Sequence, residues 1–345
     1  MPGLLRICLI AVGLVLSQAE VSEFPQAEIS NSQIRAKLYL PDAQSGYYRG
    51  TRFDWSGAIA SLEWNPFGFA QGRPFDSAQG RGHTYFGQWF ERHDPKIHDA
   101  ITGPVNEFLT NDSGLGYDEA QAGQTFVRIG VGAVRKPEEA AYRRFATYDI
   151  VDSGKWTVNK GSDRIEFVHE LGDTNGYAYV YRKTLRLIKD TLVLEHVLRN
   201  VGKKKITTSV YNHDFFMLDS QPTGPDFVVR FPFEPRALAS LNGRAETRGK
   251  EIVVLQELQP RQTMFSELQG FGTSAKDHDF RVENRKTGAG VRQTGDRPIS
   301  KLLFWSARTT VCPEAYIDLN IDPGKASSWR ITYEFYQVSP SAKPD

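Results

Sequence analysis

The chain has 345 residues, 40% of them hydrophobic and 24% charged, which is enough to bury a sizeable core. Its 42 basic and 41 acidic side chains leave a formal net charge of +1. That balance excludes the basic footprint of a nucleic-acid-binding protein or of one held electrostatically to an anionic membrane.

At the N terminus, Arg6 precedes an apolar run from Ile7 to Leu16, and Ser17-Gln18-Ala19 leads into Glu20. This is the outline of a secretory signal peptide over residues 1–19, too short for a comfortable membrane span. The expectation is therefore an exported protein, periplasmic or secreted, with no membrane attachment after cleavage. Residues 20–345 are expected to form one domain, since large β-sandwiches run to this length. Cys8 falls inside the signal, so Cys312 would be the one thiol of the mature chain and no internal disulfide is expected.

From Glu20 onwards strand patterns dominate. Ala58 to Trp64 and His83 to Phe90 read as strands, interrupted by the run Phe69-Ala70-Gln71-Gly72-Arg73-Pro74 and its near-duplicate Phe75 to Arg81. A tandem repeat this short predicts a loop insertion near 66–82, exposed and apart from the chemistry. Pro137 to Phe145 alone has a helical look. Arg164 to Val168 alternates polar and apolar. Tyr177 to Leu187 and Leu192 to Leu198 are β-rich and joined at Ile188–Thr191, a predicted hairpin. Asn200 to Lys203 predicts a second hairpin into Ile206–Phe216, with Lys203 to Lys205 a solvated turn rather than a basic patch. Near the C terminus Trp329, Ile331, Tyr333 and Phe335 alternate with Arg330, Thr332, Glu334 and Tyr336. The fold class these patterns predict is all-β, a large antiparallel sandwich.

Common catalytic signatures are missing: no Gly-x-Ser-x-Gly elbow, phosphate-binding loop, Cys-x-x-Cys or His-Glu-x-x-His occurs. His-Asp pairs at 93–94, 98–99, 213–214 and 278–279 suggest metal ligands, but neighbours on a strand point to opposite faces and each pair offers one ligand at most. No metal is expected. In Val210-Tyr211-Asn212-His213-Asp214-Phe215-Phe216, alternation puts Thr207, Ser209, Tyr211 and His213 on one face and Ile206, Val210 and Asn212 on the other. A polar, aromatic face ending in histidine suits a sugar-binding cleft. It equally suits a histidine hydrogen-bonded at a strand end.

Further along, Trp305 to Thr310 leads into Val311-Cys312-Pro313-Glu314-Ala315-Tyr316, and Asp322-Pro323-Gly324 turns into the last strand. In this order the stretches Asn212-His213-Asp214-Phe215-Phe216, Lys276-Asp277-His278-Asp279-Phe280, Cys312-Pro313-Glu314 and Pro323-Gly324 resemble the aldose 1-epimerases (galactose mutarotases). The resemblance covers the C-terminal half. It implies a galactose mutarotase-like supersandwich, His213 as the catalytic acid, Glu314 as the catalytic base, and Asp277 as a residue that grips sugar hydroxyls. Tyr211 and Asn212, on the same stretch as His213, are the other expected substrate-binding residues. The N-terminal half lacks the family's His-Gly-Gly and Gly-Arg-x-x-Asn-Arg runs; His98 to Phe108 is the stretch of comparable position, and His83, His93 and His98 are left without a role.

Mutarotation needs a base for the anomeric hydroxyl and an acid for the ring oxygen. A glutamate with reference pKa of about 4.3 and a histidine of about 6.5 divide that work near neutrality. The expected partner is a monosaccharide or the end of a sugar chain, with no cofactor and no nucleic acid. The alternatives are a carbohydrate-binding module without turnover, and a polysaccharide lyase-like protein using Tyr211 or Tyr316.

Overall fold

The computed structural model describes residues 23–69 and 82–338. The segment expected to be an export signal and most of the duplicated segment lie outside these residues. The described chain is all-β, with no α-helix and three 3-10 turns, at Leu218–Ser220, Leu241–Gly243 and Ala275–Asp277.

Four antiparallel sheets carry the structure. The largest has ten strands in the spatial order Ala245–Arg248, Glu251–Val254, Phe227–Arg230, Asp279–Asn284, Ala289–Gly295, Ala326–Gln337, Thr191–Asn200, Tyr177–Ile188, Arg164–Thr174 and Lys155–Lys160. Facing it is a six-stranded sheet ordered Arg236–Ala237, Met264–Gln269, Lys301–Ala307, Thr310–Ile321, Ile206–His213 and Val105–Leu109. A four-stranded N-terminal sheet (Gln26–Ser30, Ile34–Tyr39, Ile59–Trp64, His83–Phe86) and a three-stranded one (Thr125–Arg128, Gly132–Arg135, Asp149–Asp152) complete it.

The alternation read at Trp329–Tyr336 is realised: Trp329, Ile331, Tyr333 and Phe335 are buried while Arg330 is exposed. The first predicted hairpin also forms, with Ile188 opposite Thr191 and Lys189 at φ 53° in the tight turn. The second does not. After Thr191–Asn200 the chain leaves the ten-stranded sheet, and Ile206–His213 pairs instead with Thr310–Ile321 and Val105–Leu109. Buried Asn200 anchors this crossover by donating to the carbonyls of Lys204 (2.8 Å) and Ile321 (2.9 Å). A turn signal marks a reversal of the chain but not the sheet it rejoins. Residues 137–145 are likewise irregular, not helical. Tyr142 there packs on Tyr148 and Phe126, and these tertiary contacts override a weak local preference.

The six-stranded sheet is buried on both faces. Val210, Phe304, Ala315, Ile317 and Leu319 join the main core against the ten-stranded sheet. Val105, Leu109, Tyr211, Leu303, Cys312 and Tyr316 join a second, aromatic core under the segments around Tyr47–Ala58, Ile101 and Phe126–Tyr148. A buried hydrogen-bonded chain crosses the main core: His196 Nδ1 to Tyr181 Oη (3.0 Å), the Tyr181 hydroxyl to Asn106 Oδ1 (3.3 Å), Asn106 Nδ2 to Asn212 Oδ1 (2.6 Å), Asn212 Nδ2 to Tyr333 Oη (3.1 Å), and the Tyr333 hydroxyl to Asp214 Oδ1 (2.6 Å). Each member would be costly to bury alone; the links pair the interior polar atoms, while His196 Nε2 and Asp214 Oδ2 at the two ends have no hydrogen-bond partner among the described residues.

Candidate active site

On the outer face of the six-stranded sheet, strand register stacks side chains into two rows. Pairing sets Tyr211 opposite Glu107 and Leu303 opposite Glu314. Continued past Val210–Ile317, the register of Ile206–His213 with Thr310–Ile321 brings Tyr211 beside Tyr316 and His213 beside Glu314. The tyrosine rings stack at 4.2 Å, and His213 Nε2 lies 3.3 Å from Glu314 Oε1.

The Glu107 row is saturated with donors. Arg144 reaches both carboxylate oxygens (3.0 and 2.7 Å), Arg52 Nε reaches Oε2 at 3.0 Å, and the Tyr211 hydroxyl donates to the same oxygen at 2.6 Å. Arg128 stands 3.7 Å from Oε1. Burial opposes the charge, but the Arg52 and Arg144 guanidinium groups outweigh it and hold the Glu107 carboxyl well below the usual carboxylate range. Tyr211 is pushed far above the usual phenol range, first by burial and then by Glu107.

Arg52 and Arg144 come from loops fixed to the sheet, and Arg128 ends the strand Thr125–Arg128. The segment around Arg52 is tied down where Asp54 N donates to Asn106 O (2.8 Å) and Asn106 N donates to Asp54 Oδ1 (2.6 Å). Arg128 grips the carbonyls of Thr51 (2.9 Å) and Arg52 (2.6 Å). The loop bearing Arg144 is joined to the same segment where Tyr148 N donates to Thr51 Oγ1 at 3.0 Å.

The His213 row is poor in donors. Glu314 is buried and accepts no hydrogen bond from the described residues; burial, opposed by Arg52 and Arg144, lifts its carboxyl to about 7. Burial, reinforced by Arg52, pushes His213 well below the ordinary histidine range. The His213 ring stacks on Phe215 at 3.7 Å, with Trp305 and Phe53 edge-on at 5.3 and 5.4 Å. Phe215 holds φ 47°, a conformation that costs a bulky residue about 1–2 kcal/mol, and its N–H donates to Cys312 Sγ at 3.2 Å. The turn it makes lays its ring over the histidine. Gly103 lets the neighbouring loop close in, since a Cβ there would fall 1.7 Å from the Asp214 carbonyl oxygen.

Both rows border a cavity of about 260 Å³, lined by Arg52, His98, Arg144, His213, Trp305 and Glu314, with Phe145 and Phe265 at its mouth. That is below the roughly 300–1,000 Å³ of sites for drug-sized ligands and suits one small polar ring. A larger depression of about 510 Å³ on the outer face of the ten-stranded sheet mixes Arg164, Arg182 and Arg330 with Glu166 and Glu195, and holds none of the candidate residues.

Of the residues singled out from sequence, His213 and Glu314 come together and Tyr211 supports them from the adjoining row. Asn212 does not face the cavity. It points into the main core, between Asn106 and Tyr333, as the alternation at that strand requires. Asp277 does not reach the cavity either: it closes its own loop, accepting from Gly272 N at 2.7 Å. Of the histidines left open, His83 pairs with Asp219 (2.9 Å) and His93 with the Tyr47 carbonyl (2.8 Å), while His98 lines the cavity. Arg52, Glu107 and Arg144 were missed. Glu107 carried a legible signal: a carboxylate inside Val105-Asn106-Glu107-Phe108-Leu109 demands buried cations.

No family model matches the sequence, and no curated protein sequence matches it. Solved structures do. The chain resembles an aldose epimerase homologue from C. elegans at a TM-score of 0.55 and 12% identity, covering 91% of this chain and 99% of that one. It resembles a galactose mutarotase-like protein from Clostridium acetobutylicum at 0.55 and 11%, covering 90% and 95%. A galactose mutarotase related enzyme from Lactobacillus acidophilus gives 0.52 and 14%, covering 92% and 100%. Identities this low establish architecture alone: the chain has the galactose mutarotase-like fold.

Proposed function

We propose that this protein is an exported, sugar-handling isomerase of the aldose 1-epimerase type, acting on a monosaccharide or a sugar-chain end. The observation that carries the reading is the His213–Glu314 pair, 3.3 Å apart in a small aromatic-walled cavity. The shifts favour a pair that holds one proton near neutrality, on Glu314, with His213 neutral. This reverses the resting protonation expected from reference values, because burial opposes both charges. Either arrangement offers one lone pair and one proton, as ring opening requires. With the proton on Glu314, His213 takes the anomeric hydroxyl proton while Glu314 protonates the ring oxygen, breaking the C1–O5 bond. Rotation about C1–C2 and the reverse transfers close the ring on the other face and restore both groups.

The test is NMR exchange between α and β anomers over a panel of aldoses, with wild type and Glu314→Gln. Acceleration lost in the variant supports the isomerase. A folded protein that accelerates no sugar overturns it. A carbohydrate-binding role without turnover is favoured by Phe145 and Phe265, 58% and 47% exposed at the mouth, which offer platforms for neighbouring sugar rings.

A further inference from the structure

Arg52 and Arg144 are only partly used by the protein. Arg52 spends Nε on Glu107 and Nη2 on the Tyr211 hydroxyl (3.2 Å). Arg144 spends Nε and Nη2 on Glu107, and Nη2 also meets the hydroxyls of Tyr211 (3.1 Å) and Tyr316 (3.3 Å). The Nη1 group of each arginine has no partner among the described residues, and both arginines line the cavity with His213 and Glu314. Their side chains are 10% and 26% exposed, so they are shielded from bulk water yet open to a ligand. The guanidinium planes are also held in place: that of Arg52 lies 4.4 Å over the Phe53 ring and 4.9 Å from the Phe145 ring.

Charged groups of both signs surround the same cavity. The cations around the cavity are Arg52, Arg144, Arg128 behind them, and Lys301, whose Nζ lies 5.5 Å from the Tyr316 ring centroid. The carboxylates are Glu107, Glu314 and, at the rim 3.6 Å from His98, Asp99. A neutral hexose would leave the two Nη1 donors unanswered.

We infer that the substrate is an anionic sugar, whose carboxylate or phosphate is held between the free Nη1 groups of Arg52 and Arg144 while its anomeric centre meets His213 and Glu314. This rests on the isomerase reading and names its substrate class. Charge-assisted hydrogen bonds from two partly desolvated guanidinium groups give a preference of roughly tenfold or more over the neutral parent sugar.

The experiment uses the full chain and compares anomer exchange of glucose and galactose with glucuronate, galacturonate and glucose 6-phosphate, at low and high ionic strength. The expected result is a kcat/KM at least about tenfold higher for a uronate or the phosphate than for its parent. That advantage shrinks with salt and collapses in Arg144→Gln. Whichever anion gains identifies the group held. Should Arg144→Gln fail to fold, the salt response of the wild type decides alone. Equal rates for charged and neutral sugars, with exchange intact, overturn the inference and leave the isomerase standing. If no sugar is exchanged, the isomerase reading falls and calorimetric titration decides: a uronate or phosphate bound tightly where glucose is not keeps the anionic-ligand inference. Absence of binding by either class ends it.

Discussion

Glu107 and Glu314 occupy one face of one sheet, in adjoining cross-strand rows, and both are buried. Burial pushes both toward the neutral form, yet one is held firmly ionised and the other is raised to about 7. The difference lies in the donors. Glu107 accepts from Arg52, Arg144 and Tyr211, whereas Glu314 faces a neutral histidine and the apolar side of Leu303. Equal burial thus yields a firmly ionised carboxylate in one row and a carboxyl raised to about 7 in the next, and the arginines of the first row help set the second.

The contrast can be broken from either side. The largest expected effect is on chemistry: Glu314→Gln should cut anomer exchange by roughly 10²–10⁴-fold, measured by NMR, with little change in the thermal midpoint because no hydrogen bond is lost. Glu107→Gln should act first on stability, costing about 3–5 kcal/mol in a denaturant melt, since it leaves buried guanidinium groups uncompensated. The Glu107 contribution also has a pH sign. Its folded pKa is depressed, so the stabilisation is present above the unfolded carboxylate pKa and is lost as pH falls through the folded one.

A third prediction sharpens the comparison. kcat/KM for the free enzyme should fall as pH rises through about 7, when Glu314 gives up the pair's one proton, and should fall again in acid once His213 becomes charged. Glu107 is among the groups that raise Glu314, so Glu107→Gln, if folded, should move the alkaline limb to lower pH. The smallest effect is expected outside both rows: Asp277→Ala removes one turn hydrogen bond, costs about 1 kcal/mol or less, and leaves exchange rates unchanged.

Much of this was legible before the structure. Strand alternation is a local property, so Ile206–His213 and Ala326–Gln337 could be read directly, and the ordered motifs pointed to His213 and Glu314 together. Sheet assignment was not local. The turn at 200–205 reads as a hairpin because nothing in six residues states that Asn200 will bond to Ile321 across the crossover. The arginines were hidden for a similar reason: Arg52 and Arg144 sit in irregular segments and acquire a role only when Glu107 pairs with them. Asp277 differs in the opposite direction: it is a motif position whose carboxylate accepts from Gly272 in its own loop and lies apart from the cavity.

The polar chain from His196 to Asp214 has a consequence for strand register. A slip of one residue along Ile206–His213 would carry His213 and Tyr211 into the main core and swing Asn212 outward, leaving Asn106 and Tyr333 without their partner. An all-apolar core would tolerate such a slip more readily, because greasy side chains are nearly interchangeable. Asn106, Asn212 and Tyr333 therefore act as a key cut to one alignment, and by admitting that alignment alone they select the side of the sheet on which the histidine emerges.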